Sequence, residues 1–145
     1  YRGEALQTLL ASEPDVVGHN VETVERLTTK VRDRRASYRG SLDTLAEVKE
    51  LEPRRYTKSS IMVGLGENAS QVSSTMDDLL GAGVELLTIG QYLRPTSSHP
   101  PVSRYVEPEE FEDYRMEALE KGFKGVASGP LVRSSYHADL LQETT

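Results

Sequence analysis

A strand, a glycine turn, a helix and a second strand follow one another without spare residues in the middle of this chain, and that succession limits the fold more than anything else in it. Thr57 to Val63 reads as a strand entering Gly64-Leu65-Gly66-Glu67. Ser70 to Ala82 reads as a helix, with Val72, Met76, Leu79 and Leu80 at helical spacing and Gly83 as its stop. Val84 to Gly90 is the next strand, apolar at nearly every position apart from Glu85, as a strand covered on both faces should be. Alternating strands and helices with short connections call for a parallel α/β arrangement with the crossover helices outside.

The same alternation extends in both directions. Glu4 to Ser12 is expected to be a short helix stopped by Pro14, Asp15 to Asn20 a short strand, Val21 to Val31 a helix with Val21, Val24, Leu27 and Thr28 inward, and Ser41 to Leu51 another with Leu42, Leu45, Ala46 and Lys49 in register. Glu107-Pro108-Glu109-Glu110 opens a last long helix, its acids and early proline suited to the positive helix end. Lys121-Gly122 closes it, and Phe111, Met116, Ala118 and Leu119 supply its apolar face. Phe123 to Ala127 is a final strand, followed by a tail. The opening Tyr1-Arg2-Gly3 lacks an initiator Met and reads as the end of a strand, so a preceding segment is expected. In parallel α/β folds the chemistry sits at the C-terminal ends of the strands. This directs attention to His19 and Asn20; Gly64, Gly66 and Glu67; and Gln91 and Tyr92.

Composition removes several classes of function. The 145 residues contain no cysteine, which excludes disulfides, thiolate zinc sites, a cysteine nucleophile and a self-contained iron–sulfur cluster. With 17 Lys and Arg against 23 Asp and Glu, a net charge of −6 argues against nucleic-acid binding. No apolar run approaches the ~20 residues that span a bilayer, and no leader is evident, so no membrane partner is expected and a cytoplasmic location is. One basic cluster stands out, Arg32, Arg34, Arg35 and Arg39. It reads as a solvated turn, with an acidic protein partner as the sharper alternative.

Individual motifs are weaker. Gly64-x-Gly66-x-x-Ala69 resembles a dinucleotide fingerprint, but the following strand ends in Gly90-Gln91 rather than in the required acid. His19, His99 and His137 have no second ligand at helical spacing and make no metal site. Ser135 and His137 stand two apart with no orienting acid or nucleophile-elbow context, so they make no catalytic pair.

Longer segments are more specific. DVVGHNVETV (Asp15 to Val24), TKSSIMVGLGE (Thr57 to Glu67), LTIGQYLRPT (Leu87 to Thr96), RYVEPEEF (Arg104 to Phe111) and GPLVRSSYHA (Gly129 to Ala138) together resemble lipoyl synthase, a radical S-adenosylmethionine enzyme family, in order and spacing across nearly the whole chain. Gly18 and Arg94 depart from the residues that the family more often carries, Asn and Gln. The resemblance implies the C-terminal half of a partial six-stranded (β/α) barrel over residues 1–128 and a C-terminal tail over residues 129–145. It implies two four-iron clusters in the complete enzyme, both cysteine motifs lying in an N-terminal half outside this sequence. Ser135 is the one cluster ligand carried here. An alkoxide ligand needs the metal's charge to lower the hydroxyl pKa, and a weaker ligand suits a cluster meant to be opened.

Asn20, Gly64, Gly66, Glu67 and Gln91 are the expected S-adenosylmethionine contacts, with His19 and Tyr92 as further candidates. The implied reaction inserts two sulfur atoms at C6 and C8 of a protein-bound octanoyl chain. The implied partners are a cysteine-bearing N-terminal half, an octanoylated lipoyl carrier domain and an electron donor protein. This chain alone is expected to be inactive. The other reading left open is a non-catalytic α/β binding or scaffold subunit that retains the family sequence.

Overall fold

The computed structural model of the chain describes residues 16–28 and 37–132. Four strands, β1 (Val16–Gly18), β2 (Tyr56–Val63), β3 (Leu86–Gln91) and β4 (Gly125–Gly129), form one sheet in the order 1-2-3-4. Every pair is parallel, with Val17 opposite Thr57, Ser60 opposite Thr88 and Thr88 opposite Ala127. Helices α1 (Tyr38–Leu51), α2 (Ala69–Gly81) and α3 (Pro108–Lys121) make the crossovers. Since crossovers between parallel strands are right-handed, an order that never reverses puts all the helices on one face. That is the arrangement of a barrel wall, whereas a doubly wound sheet reverses its strand order and carries helices on both faces.

The two faces differ accordingly. Ile61, Val63, Leu87, Ile89 and Val126 pack with Leu42, Leu45, Met76, Leu79, Phe111 and Ala118 in one apolar core. Side chains alternate along a strand, so the residues between them turn the other way: Lys58, Ser60 and Met62 on β2, Leu86, Thr88 and Gly90 on β3, Ala127 and Gly129 on β4. This second face mixes small and polar groups with Met62 and Leu86. Thr88 Oγ1 donates to Ser60 Oγ at 2.7 Å, and burial pushes the Lys58 amine below its ordinary pKa.

Helix ends follow the local chemistry. Ser37 caps α1 by accepting the Gly40 amide at 2.9 Å, which starts the helix at Tyr38, three residues before the expected Ser41. Its inward row includes Val48, 1% exposed, whereas Ala46 faces solvent. Asn68 and Gln71 form a reciprocal capping box on α2, and Glu107 and Glu110 do the same on α3, where proline occupies the first turn. On α3, Phe111 and Ala118 are buried as expected, but Met116 is 53% exposed and Tyr114 completes the buried row instead.

Two expected elements change more. The helix placed over Val21 to Val31 is extended backbone at its start. The Glu22 amide donates to Ser60 O at 3.1 Å and Met62 N donates to Glu22 O at 2.8 Å; Glu25–Leu27 then makes a turn of the 3-10 kind, Thr28 is helical, and residues 29–31 of the expected helix lie outside the described residues. Pairing to the neighbouring strand satisfies these backbone groups and keeps the start of the segment out of the helix, while Val21, Val24 and Leu27 stay buried. The final strand begins at Gly125 rather than Phe123, because the Phe123 amide still donates to Ala118 O at the end of α3. The segment Glu4 to Ser12, Arg32, Arg34 and Arg35, and residues 133–145 of the tail lie outside the described residues.

Candidate functional site

Parallel strands deliver all their C-terminal ends to one side, so Gly18-His19-Asn20, Val63-Gly64, Gln91-Tyr92 and Gly129 open on a common edge. What happens there is set by glycine backbone and by two long polar side chains. Gly64 and Gly66 have φ of +95° and +112°, a left-handed conformation that side-chain-bearing residues adopt at a cost. The turn that they make brings Glu67 back beneath its own entry. The Glu67 carboxylate accepts the amides of Gly64 and Leu65, each at 3.0 Å, and is 8% exposed.

Gln91 holds the opposite wall of the turn. Its Nε2 donates to Tyr92 O at 3.0 Å and to Arg104 O at 3.1 Å, and its Oε1 accepts the Val106 amide at 2.8 Å. Gly64 O accepts the Ser103 amide at 2.8 Å from the same returning segment. A Cβ on Gly64 would meet Gln91 Nε2 at 2.3 Å and Arg104 O at 2.6 Å, so glycine there is required by space as well as by φ. Tyr92 completes the attachment: its amide donates to Val63 O at 2.8 Å and its hydroxyl to Pro100 O at 2.6 Å. Residues 100–106 are thereby tied across the ends of β2 and β3.

Electrostatics reinforce that tie. The Arg104 guanidinium makes a two-pronged pair with Glu110, at 2.8 and 2.6 Å, joining the returning segment to the first turn of α3. The hydrogen bonds from Arg104 hold the Glu110 carboxyl down at about 2. Arg26 reaches across from the 3-10 turn to donate to Gly66 O at 2.8 Å and to Gln71 Oε1 at 3.3 Å. Farther out, Arg94 donates to His99 O at 2.9 Å and Ser97 O at 2.7 Å, and Thr96 Oγ1 contacts His99 Nδ1 at 2.7 Å, so the loop over residues 94–99 is organised by its own side chains.

Of the residues expected at the site, Gly64, Glu67 and Gln91 form one hydrogen-bonded unit. Gly66 is exposed beside it, and a Cβ there would meet only Ser103 Oγ, at 3.9 Å. Asn20 is half-buried at the end of β1. His19 Nε2 lies 3.1 Å from Ser41 Oγ on α1. Ser135 lies outside the described residues. Sequence reasoning did not single out the segment Ser103 to Val106 as the partner of Gln91. The available signal was Val106, an apolar residue directly before the Glu107-Pro108 helix start, which is 4% exposed. Glu22, at φ +74° the one residue other than glycine with positive φ among the described residues, was also missed, and nothing in its sequence announces that conformation.

This edge offers exposed backbone, an amide side chain and hydrogen-bonding oxygens, a surface suited to holding a polar ligand. Among the described residues, no group of three His, Cys, Asp or Glu side chains is placed to hold a metal ion. Nor, among them, is any helix long and apolar enough to cross a membrane.

Comparison with known proteins sharpens the picture. No family model matches the chain. It is 57% identical over 136 residues to the lipoyl synthase of Oceanobacillus iheyensis, a match covering 94% of this chain and 43% of that protein. The lipoyl synthase of Staphylococcus carnosus is likewise 57% identical over 136 residues, with 44% of its length covered. That of Thermus thermophilus is 54% identical over 136 residues, with 42% covered. The chain spans less than half the length of these curated relatives and corresponds to their C-terminal part.

Proposed function

We propose that this chain, homologous to the lipoyl synthases over 94% of its length, is the C-terminal half of such an enzyme and supplies part of its barrel wall and one face of its S-adenosylmethionine site. The observation that carries the reading is the sustained identity of 54–57% over 136 residues, which includes the turns and strand ends described above. The parallel sheet with helices on one face supports it, since such a wall needs further strands to become an enclosure.

On this reading Asn20 and Gly66 touch S-adenosylmethionine directly, Asn20 through its amide and Gly66 through a backbone that a ligand can approach. Gly64, Glu67 and Gln91 act by shaping the surface: their hydrogen bonds are spent on the turn and on residues 104–106. His19 and Tyr92 stand beside them. Ser135 is the ligand that this chain gives to an auxiliary iron–sulfur cluster.

The donor set of this chain does not fit a four-iron cluster by itself, for it has no thiolate at all. The remaining ligands therefore come from the cysteine-bearing N-terminal half. Held by the complete enzyme, S-adenosylmethionine and the clusters would supply radical chemistry at C6 and C8 of a protein-bound octanoyl group and the sulfur inserted there. The acceptor is an octanoylated lipoyl carrier domain, contacted by the basic segment Arg32 to Arg39, and electrons come from a donor protein. The reaction belongs to the cytoplasm.

Two assays test this. The chain alone, given S-adenosylmethionine, reductant and an octanoyl peptide, is expected to form no 5′-deoxyadenosine, and formation by the pure chain overturns its inactivity. Mixed with a polypeptide supplying the rest of the relatives' length, with clusters reconstituted, it is expected to form lipoyl product. An assembled, cluster-loaded pair that does not bind S-adenosylmethionine overturns the enzymatic reading. The absence of cysteine favours one other reading, a non-catalytic scaffold subunit, for which the pair should assemble and yet turn over no faster than the partner alone.

A further inference from the structure

Gly90 lies near the end of β3 on the face turned away from the helices, opposite Met62 on one side and Gly129 on the other. Its backbone is not among those with positive φ, so conformation does not call for glycine here. Space does. A Cβ on Gly90 would lie 2.2 Å from the carbonyl oxygen of Val132 and 3.2 Å from its carbonyl carbon. Both are backbone atoms, which a side-chain rotation cannot move aside.

Val132 reaches Gly90 through the turn Gly129-Pro130-Leu131-Val132, closed by the Val132 amide donating to Gly129 O at 3.2 Å. Proline in the second position presets φ for such a turn. At Gly129 a Cβ would make only an ordinary contact, 3.7 Å from Val132 Cγ2, so the close approach is specific to Gly90. The chain leaving β4 is folded back over β3 at the ligand end of the sheet instead of continuing outward.

We infer that Gly90 is a positioning residue: the space above its Cα seats the Val132 carbonyl and anchors the start of the C-terminal arm beside the strand-end site. Three residues of chain reach at most about 11 Å, so an anchor at Val132 sets the range over which Ser135 can act. The link to Ser135 rests on the function proposed above, whereas the seat itself does not.

Trypsin separates the two. In the full chain, Gly90→Ala should speed cleavage after Arg133 about tenfold, with sites in α3 such as Arg115 unaffected, because only the anchor is released. Gly18→Ala, where a Cβ meets nothing closer than Lys58 Cε at 3.7 Å, should leave cleavage after Arg133 unchanged. Equal cleavage of Gly90→Ala and wild type overturns the seat. Should Gly90→Ala fail to fold, hydrogen exchange on the wild type decides. Protection of the Val132 amide comparable to that of β4 amides supports the seat, and exchange at the rate of a free peptide overturns it.

In the reconstituted enzyme, Gly90→Ala should lower the iron and the visible absorption of the auxiliary cluster and spare the cluster that binds S-adenosylmethionine. Loss of both clusters alike, or of neither, overturns the link to Ser135 and leaves the seat to the proteolysis result. Unchanged auxiliary iron in Ser135→Ala sinks the ligand assignment while leaving the proteolysis result in force.

Discussion

The side chain of Gln91 does for Val106 what a neighbouring strand would do, accepting its amide at 2.8 Å while donating to Arg104 O two residues earlier at 3.1 Å. A primary amide has the same donor and acceptor as a peptide group, so one side chain closes an edge where backbone pairing has ended. Replacing it with leucine keeps the volume and leaves the buried Val106 amide without an acceptor. Gln91→Leu should cost about 1–3 kcal/mol in urea unfolding and raise hydrogen exchange at Val106 more than at amides within β3.

Glu67 is expected to behave as part of the turn. Glu67→Ala removes the acceptor of both the Gly64 and Leu65 amides, and Glu67→Gln retains one oxygen. Stability should fall in the order wild type, Gln, Ala, with the alanine variant lower by about 2–4 kcal/mol, because hydrogen bonds to a charged acceptor are the stronger kind. Equal stability of the three variants in thermal unfolding contradicts the structural role.

Two glycine replacements should act in opposite directions. Gly64→Ala meets both a φ of +95° and two contacts under 3 Å, and should destabilise by more than about 1 kcal/mol. Gly81, at the end of α2, has nothing within 4 Å of where an added methyl group would sit, and Gly81→Ala should stabilise by about 0.4–1 kcal/mol. Paired melting curves check both.

Acid unfolding should reveal the Arg104–Glu110 pair. The Glu110 carboxyl titrates at about 2 when folded, against an ordinary value of 4.5, because Arg104 stabilises its charged form. A folded value below the unfolded one means that the contribution is complete above pH 4.5 and is lost as pH falls toward 2. In Glu110→Gln the slope of stability against pH should flatten within that window, and a slope equal to that of wild type argues against the pair.

The parts of the fold set by hydrophobic period and by glycine were readable in advance. Thr57 to Val63, the glycine turn and the helix after it fall within a residue of their observed bounds, because strand burial, positive-φ glycine and a capping residue all agree there. The segment after Asn20 was not readable, because its backbone bonds to β2 override a helical apolar spacing that it nevertheless satisfies. Met116 was misplaced for a related reason: it stands two residues from the buried Tyr114, about 200° round the helix, and apolar character alone does not tell which side the sheet covers. At the site, the strand ends identified Gly64, Glu67 and Gln91. The bonds of Glu67 lie within its own turn, but the return of Ser103 to Val106 onto Gln91 depends on pairings between residues 13 and 15 apart in sequence that no local pattern encodes.

The order of the sheet has a consequence for how this wall is made. Each described strand pairs only with the one just before or just after it in sequence, so β2 can dock on β1, β3 on β2 and β4 on β3 as each leaves the ribosome. No strand has to wait for a later one to be inserted between it and its neighbour. Growth of this kind is vectorial, keeps loop closures short, and needs no described strand to be inserted between two others. A polypeptide divided ahead of β1 would therefore be cut along a seam between successive additions, without interrupting any strand pairing described here.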